Sequence, residues 1–230
     1  MKALIPAAGM GTRLGELTSE TNKCLLKVGD RPIIEHLINM LKSSGIDDIV
    51  VATGYFADKV EDALKGRAEC VYNDLYDKAG ILYSVQKGSP RLRDDSFIYV
   101  TSDAMLHKDI LTECIKAEGE IVVVVKINEC DAEGSKVQVK DDEIIKMGKD
   151  VPSDEATGEF LMMKVSQSVS PAFFDEVDSM LNEGKINGRV MDIIMRLKAK
   201  GVRVVPMCTD KPALEIDDNT ELEEARKIFR

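Results

Sequence analysis

The sequence predicts an α/β fold, a doubly wound domain around a mixed, mostly parallel central sheet, and three observations lead there. Short β-rich runs alternate with amphipathic segments through the first hundred residues, as they do when helices cover both faces of a parallel sheet. The first of those runs ends in a loop with two glycines, Gly9 and Gly11. Beyond Asp103, several β runs follow one another with turn residues between them, which calls for an antiparallel portion in the sheet. A length of 230 residues suits one such domain, 1–230, better than two separate enzymatic ones.

Taken in order, residues 3–7 form a first strand. Pro32 opens a helix in which Ile33, Ile34, Leu37, Ile38 and Leu41 recur at helical spacing, and Gly45 ends it. Residues 48–53 make a second strand, 58–65 a short helix, 68–72 a third strand and 97–101 a buried fourth. The β patterns at 120–127, 136–139 and 143–147 come with no helix between them. A strand at 159–165, helices at 171–181 and 189–200, strands at 202–207 and 213–216, and a closing helix from about Asn219 complete the chain.

Composition narrows the function. A formal charge of −10 argues against broad binding to nucleic acid or to anionic lipid, both of which recruit basic patches. A small anionic ligand needs only a local cluster of donors. No apolar run approaches the roughly 18 residues of a spanning helix, so membrane insertion is not expected. Met1-Lys2 passes straight into a strand-like segment without a signal-peptide pattern, which makes the cytoplasm the expected compartment. Cys24, Cys70, Cys114, Cys130 and Cys208 are odd in number and contain no C-x-x-C pair, so scattered core thiols are expected rather than disulfides or a zinc site. His36 and His107 stand near no serine or cysteine motif, and acyl-transfer chemistry has no support.

Chemistry concentrates after the first strand. In Pro6-Ala7-Ala8-Gly9-Met10-Gly11-Thr12-Arg13-Leu14, small residues let backbone N–H groups turn inward around an anion, and Arg13 adds a fixed positive charge. The Gly-Lys-Ser/Thr ending of a P-loop is missing, as is the third glycine of the dinucleotide fingerprint, which removes a nicotinamide- or flavin-dependent oxidoreductase. A turn that merely needs glycine is the plain structural alternative.

The run A-A-G-x-G-T-R-L, with Lys23 about ten residues later, resembles the signature of the sugar-phosphate and phosphocholine-type nucleotidyltransferases, the MobA-like NTP transferase superfamily. The resemblance implies a Rossmann-like fold of the nucleotide-diphospho-sugar transferase type. It implies that Ala7, Ala8, Gly9, Gly11 and Thr12 wrap the phosphates of an NTP while Arg13 and Lys23 neutralise them as the catalytic cations. The chain departs from the family at Asn22, where proline is usual. Asn73 and Gly80 take the nucleobase-contacting positions by the same resemblance, with Ser84 opening a helix behind them. An Asx-turn over a packed tyrosine is the structural alternative for that region. Asp103 sits just past the end of a buried strand, where open α/β sheets bind ligands, and Asp217 precedes the last helix. The family holds Mg2+ with aspartates at these places; hard oxygen ligands suit that ion. Asp217 competes with a capping role, for which Asp218 or Asn219 is the better placed.

Within the family, Tyr72-Asn73-Asp74, Gly158-Glu159-Phe160 and Glu215-Ile216-Asp217 look closest to CTP-dependent cytidylyltransferases acting on phosphocholine, aminoethylphosphonate or inositol phosphate. CTP is therefore the favoured NTP partner, with a small phosphorylated alcohol or phosphonate as acceptor. Lys149 stands where a lysine meets the acceptor's phosphate, or else on a surface hairpin. Glu159 and Asp192 are candidates for an acceptor amine or hydroxyl, or are solvated charges. A quaternary ammonium prefers an aromatic cage, and this chain has no Trp and 5% aromatics, which counts against phosphocholine. The alternatives are an NDP-sugar pyrophosphorylase using UTP, GTP or dTTP, and a non-catalytic nucleotide sensor. A homo-oligomer is compatible with the sequence.

Overall fold

A computed structural model describes residues 1–128, 130 and 134–229. Strand β1 (Lys2–Ala7) runs into the glycine loop, whose continuation is a pair of 3-10 turns, Thr12–Thr18 and Lys23–Leu25. A short hairpin of β2 (Lys27–Val28) and β3 (Arg31–Pro32) leads into α1 (Ile33–Ser43). Then come β4 (Ile49–Thr53), α2 (Ala57–Leu64), β5 (Glu69–Tyr72), α3 (Ile81–Leu92) and β6 (Phe97–Val100). The second half holds β7 (Ala104–Leu106), α4 (Lys108–Lys116), β8 (Ile121–Lys126), β9 (Lys136–Lys140), β10 (Glu143–Met147) and β11 (Gly158–Val165). It closes with α5 (Ser170–Asn182), α6 (Val190–Ala199), β12 (Val204–Thr209), β13 (Ala213–Glu215) and α7 (Asn219–Ile228).

The sheet is mixed. Its order runs β5-β4-β1-β6-β11-β9-β10, and β8 pairs with both β11 and β12. Pairings among β5, β4, β1 and β6 are parallel, whereas β11 is antiparallel to β6, β8 and β9. Alternation along the central strands shows why helices cover both faces. Ala3, Ile5, Val51, Ile98 and Val100 point into one core beneath α1, α4 and α7, while Leu4, Val50, Phe97 and Tyr99 point into another beneath α3, α5 and α6.

Three sequence expectations change. Helix α3 begins at Ile81 with Gly80 as its N-cap, so Ser84 lies inside the helix instead of opening it. A helix, α4, fills residues 108–116; its buried Ile110, Leu111 and Cys114 make too short a stripe to stand out in the sequence. The thiols are not all core groups: Cys24 and Cys114 are buried, Cys70 and Cys130 half-buried and Cys208 exposed. Among the described residues no helix is long and apolar enough to cross a membrane.

Strand β11 is locked to β8 at a glycine. A Cβ on Gly158 would overlap the carbonyl oxygen of Lys126 and crowd the Cα of Ile127, so any side chain there must push the strands apart. Gly158→Ala is expected to lower unfolding stability by about 2 kcal/mol, measured as a drop in the urea midpoint with the slope unchanged.

Candidate active site

The site lies at the carboxyl ends of β1 and β6, where adjoining loops diverge from a parallel sheet. Beyond β1 the chain turns through Gly11, whose φ of 61° lies in the left-handed region and whose missing side chain leaves room for Lys23: a Cβ at Gly11 would come within 3.0 Å of the Lys23 Cβ. At Gly9, by contrast, a Cβ would meet nothing within 4 Å. The protein itself does not require glycine there.

Lys23 is the electrostatic centre. Its ammonium lies 2.6 Å from Asp103 Oδ2 and 2.6 Å from Asp217 Oδ1, and Arg13 Nη2 reaches Asp217 Oδ2 at 2.8 Å. A small antiparallel pair brings the two aspartates together: β13 lies along β7 with Glu215 opposite Ala104, and the Ile216 N–H donates to the Asp103 carbonyl at 3.1 Å. Burial works against the charged form of Lys23, but Asp103 and Asp217 outweigh it and hold its pKa above the ordinary lysine value. Burial likewise opposes ionisation of Asp217, and the Lys23 and Arg13 charges overcome it, keeping this carboxyl below the usual carboxylate range.

Glu215 behaves differently. Burial, reinforced by the Asp103 charge, pushes its carboxyl up to about 8, although the Thr101 hydroxyl donates to it at 2.7 Å. Its charged form is thus disfavoured beside the two aspartates. Its place beside Asp217 had a signal in the sequence: residues i and i+2 of an extended segment share a face.

Asp103 Oδ1 is buried and accepts no hydrogen bond. An orphaned anionic oxygen next to a point on which two carboxylates converge fits a hard divalent cation. Among the described residues no three His, Cys, Asp or Glu side chains group to hold a metal by themselves.

Two cavities meet here. One, about 360 Å³, is lined by Ala8, Gly9, Gly11, Thr12, Lys23, Asn73, Tyr76, Gly80 and Ser84; the other, about 480 Å³, by Lys126, Asn128, Lys149, Glu159, Phe160, Glu215 and Glu221. Arg13, Thr101, Asp103 and Asp217 belong to both walls. Of the candidate site residues singled out in the sequence, all but Ala7 and Asp192 line one or both of these adjoining chambers.

Several placements differ in detail from the sequence expectation. Ala7 is buried behind the loop. Asn73 forms the Asx-turn, its Oδ1 accepting the Leu75 N–H at 2.9 Å while its amide donates to Ser84 Oγ at 3.1 Å. Gly80 donates its N–H to the Ile186 carbonyl at 2.8 Å, and a Cβ there would press on the backbone of Asn187; its small size serves the packing of that loop. Asp192 lines neither chamber: its carboxylate accepts the Arg189 N–H at 2.9 Å in the capping box of α6. The α7 cap is as expected: Asp218, rather than Asp217, accepts from the N–H groups of Thr220 and Glu221. Thr101, Tyr76 and Glu215 also line the chambers without having been picked out from the sequence. No motif marks the first two, which enter through sheet order alone.

A glycine loop, a buried lysine and paired aspartates at the carboxyl end of a doubly wound sheet define an α/β protein with its polar cleft where such sheets bind ligands. The chain belongs to the family of the MobA-like NTP transferase domain, which matches residues 3–133. It is 42% identical over 87 residues to a choline-phosphate cytidylyltransferase of Streptococcus pneumoniae, a segment covering 37% of this chain and 38% of that protein. A bifunctional IPC transferase and DIPP synthase of Aquifex aeolicus is 27% identical over 236 residues, covering 99% of this chain and 51% of that protein. The chain thus spans about half or less of the length of these relatives. The solved structure of the CTP:phosphocholine cytidylyltransferase from Streptococcus pneumoniae superposes with a TM-score of 0.78 at 23% identity, covering 100% of this chain and 99% of that one, and shows the same fold.

The division of labour between neighbouring aspartates can be checked by stability. Asp218→Ala is expected to cost about 1 kcal/mol through loss of the cap, measured by urea unfolding, whereas Asp217→Asn leaves the α7 cap in place. Equal urea midpoints for Asp218→Ala and the unsubstituted protein would contradict the assignment.

Proposed function

We propose that the protein is a magnesium-dependent nucleotidyltransferase that transfers the cytidylyl group of CTP to a small phosphorylated alcohol or phosphonate, giving a CDP-linked product and pyrophosphate. The observation that carries this reading is the shared wall of Arg13, Thr101, Asp103 and Asp217 between two chambers, because a group transfer between two bound molecules needs its reacting atoms at such a boundary. The family membership supports the reaction class. Similarity to a choline-phosphate cytidylyltransferase and to an IPC transferase supports cytidine and a small acceptor.

In this reading the NTP lies in the chamber of the glycine loop. Backbone N–H groups of residues 8–12 hold its phosphates, and Asn73, Gly80 and Ser84 border the base. The open space at Gly9 is where a phosphate approaches the backbone. The acceptor lies in the second chamber, its phosphate toward Lys149 and Arg13 and its amine or hydroxyl groups toward Glu159, whose carboxylate already accepts from Asn128 Nδ2 at 3.0 Å. An oxygen of the acceptor's phosphate or phosphonate bonds to the α-phosphorus of CTP, the α–β bridging P–O bond breaks, and its electron pair leaves with pyrophosphate. No covalent enzyme intermediate is needed.

Charge is the obstacle, since anion attacks anion. Asp103 and Asp217 would hold Mg2+, which supplies Lewis-acid stabilisation of the phosphoryl oxygens. The Lys23 ammonium pairs with these same carboxylates, so it would share them with any divalent cation they held and would stand close to the phosphates. Arg13 and Lys23 then stabilise the charge growing on the departing pyrophosphate.

The test incubates the purified protein with Mg2+, each common NTP in turn and a panel of phosphorylated alcohols, phosphonates and sugar phosphates, following pyrophosphate release. CTP-selective release that falls by at least about 100-fold in Lys23→Ala and in Asp103→Ala is expected. Release driven by UTP, GTP or dTTP with a sugar phosphate would overturn the choice of substrates, and binding without release would overturn catalysis.

Gly9 separates ligand need from folding need. Gly9→Ala is expected to leave the thermal midpoint within about 2 °C, because its Cβ enters open space, while the KM for CTP rises at least about tenfold; calorimetry and steady-state kinetics on one preparation check both.

A further inference from the structure

We infer that Asn22 is a positioning residue for the transfer: its buried amide fixes the phosphate loop against the turn that carries Lys23. The inference rests on the proposed nucleotidyltransferase reaction. Asn22 is 1% exposed, yet its side chain touches four backbone segments. Nδ2 donates to the carbonyls of Ala7 at 3.0 Å and Tyr55 at 2.8 Å, with a longer contact of 3.4 Å to the Gly9 carbonyl. Oδ1 accepts the Cys24 N–H at 3.0 Å and so caps the 3-10 turn Lys23–Leu25.

The partners explain why this is more than a satisfied polar group. Ala7 ends β1, Gly9 is the open point of the loop, Tyr55 follows β4, and Cys24 adjoins Lys23. Each carbonyl held by Nδ2 belongs to a peptide in or beside the phosphate-binding turn, so the orientation of the loop's N–H groups is tied to it. One planar amide therefore sets the distance between the loop donors and the Lys23 ammonium. Tyr55 braces the same loop farther on, its hydroxyl donating to the Thr18 carbonyl at 3.1 Å. A buried amide of this kind is costly when unpaired and rigidifying when paired. A displacement of an ångström at a phosphate site can lower rate about 100-fold through loss of alignment while ground-state binding, spread over several donors, changes less.

Asn22→Ser isolates the function, since a serine Oγ can still cap Cys24 but cannot reach the three carbonyls. It is expected to lower kcat by about 10- to 100-fold with the KM for CTP changed less than about threefold, and to speed amide exchange at residues 8–12 at least about tenfold while β8 and β11 are unchanged. Kinetics and exchange within about twofold of the unsubstituted protein, or exchange accelerated equally throughout the chain, would overturn the inference. Nuclear magnetic resonance of the unsubstituted protein supplies a readout that needs no variant: the Asn22 side-chain N–H protons should be strongly protected, and exchange at the rate of a free asparagine amide also overturns it. Absence of pyrophosphate release from the unsubstituted protein would sink the transferase reading, whereas the exchange measurements judge the staple separately.

Discussion

The structure hangs on the double ion pair of Lys23. One ammonium joins Asp103 and Asp217, which lie 80 and 194 residues away in sequence, and so ties the loop after β1, the end of β6 and the approach to α7 to a single point. Taking a lysine out of water is unfavourable unless its charge is met at close range. Here it is met twice, and the second carboxylate is itself shared with Arg13. Removal of any member leaves an uncompensated charge in a half-closed site. The arrangement is therefore constrained as a unit, and its energy depends on all three segments arriving together.

Around that point the polar groups fall into two kinds. Some are engaged by the protein itself: the Asn22 amide, and the Asp218 and Asp192 caps. Others have capacity to spare, chief among them Asp103 Oδ1 and the space in front of Gly9. Spare capacity in a cleft is what a ligand can engage. Within a chain of net charge −10, Arg13 and Lys23 gather positive charge locally, and the buried surroundings of Glu215 disfavour a further negative charge at the same spot.

Much of this was legible beforehand. The alternation in β1, β4 and β6 is a local property, since neighbouring side chains of a strand must face opposite layers, and it gave the doubly wound sheet. The glycine loop, Lys23 and the two aspartates stood out because together they resemble a family signature; taken singly, a glycine turn or a capping aspartate would have served as well. Helix α4 was missed since nine residues with three buried apolar side chains make a faint pattern. Asp192 was misplaced because a carboxylate near a helix start looks the same whether it caps the helix or faces a ligand. Asn22 stood out only as a departure from the family pattern, and nothing local tells what a buried amide will bond to.

By itself the sequence determined the layers and the approximate strand ends, because hydrophobic period and backbone preference act within a few residues. Tertiary structure alone decided that β13 pairs with β7 so that Asp217 meets Asp103, that Lys23 stands between them, and that two chambers share Arg13, Thr101 and both aspartates. Those meetings depend on strand order and register across most of the chain, and the electrostatic character of each group depends in turn on the burial and the neighbours those meetings impose.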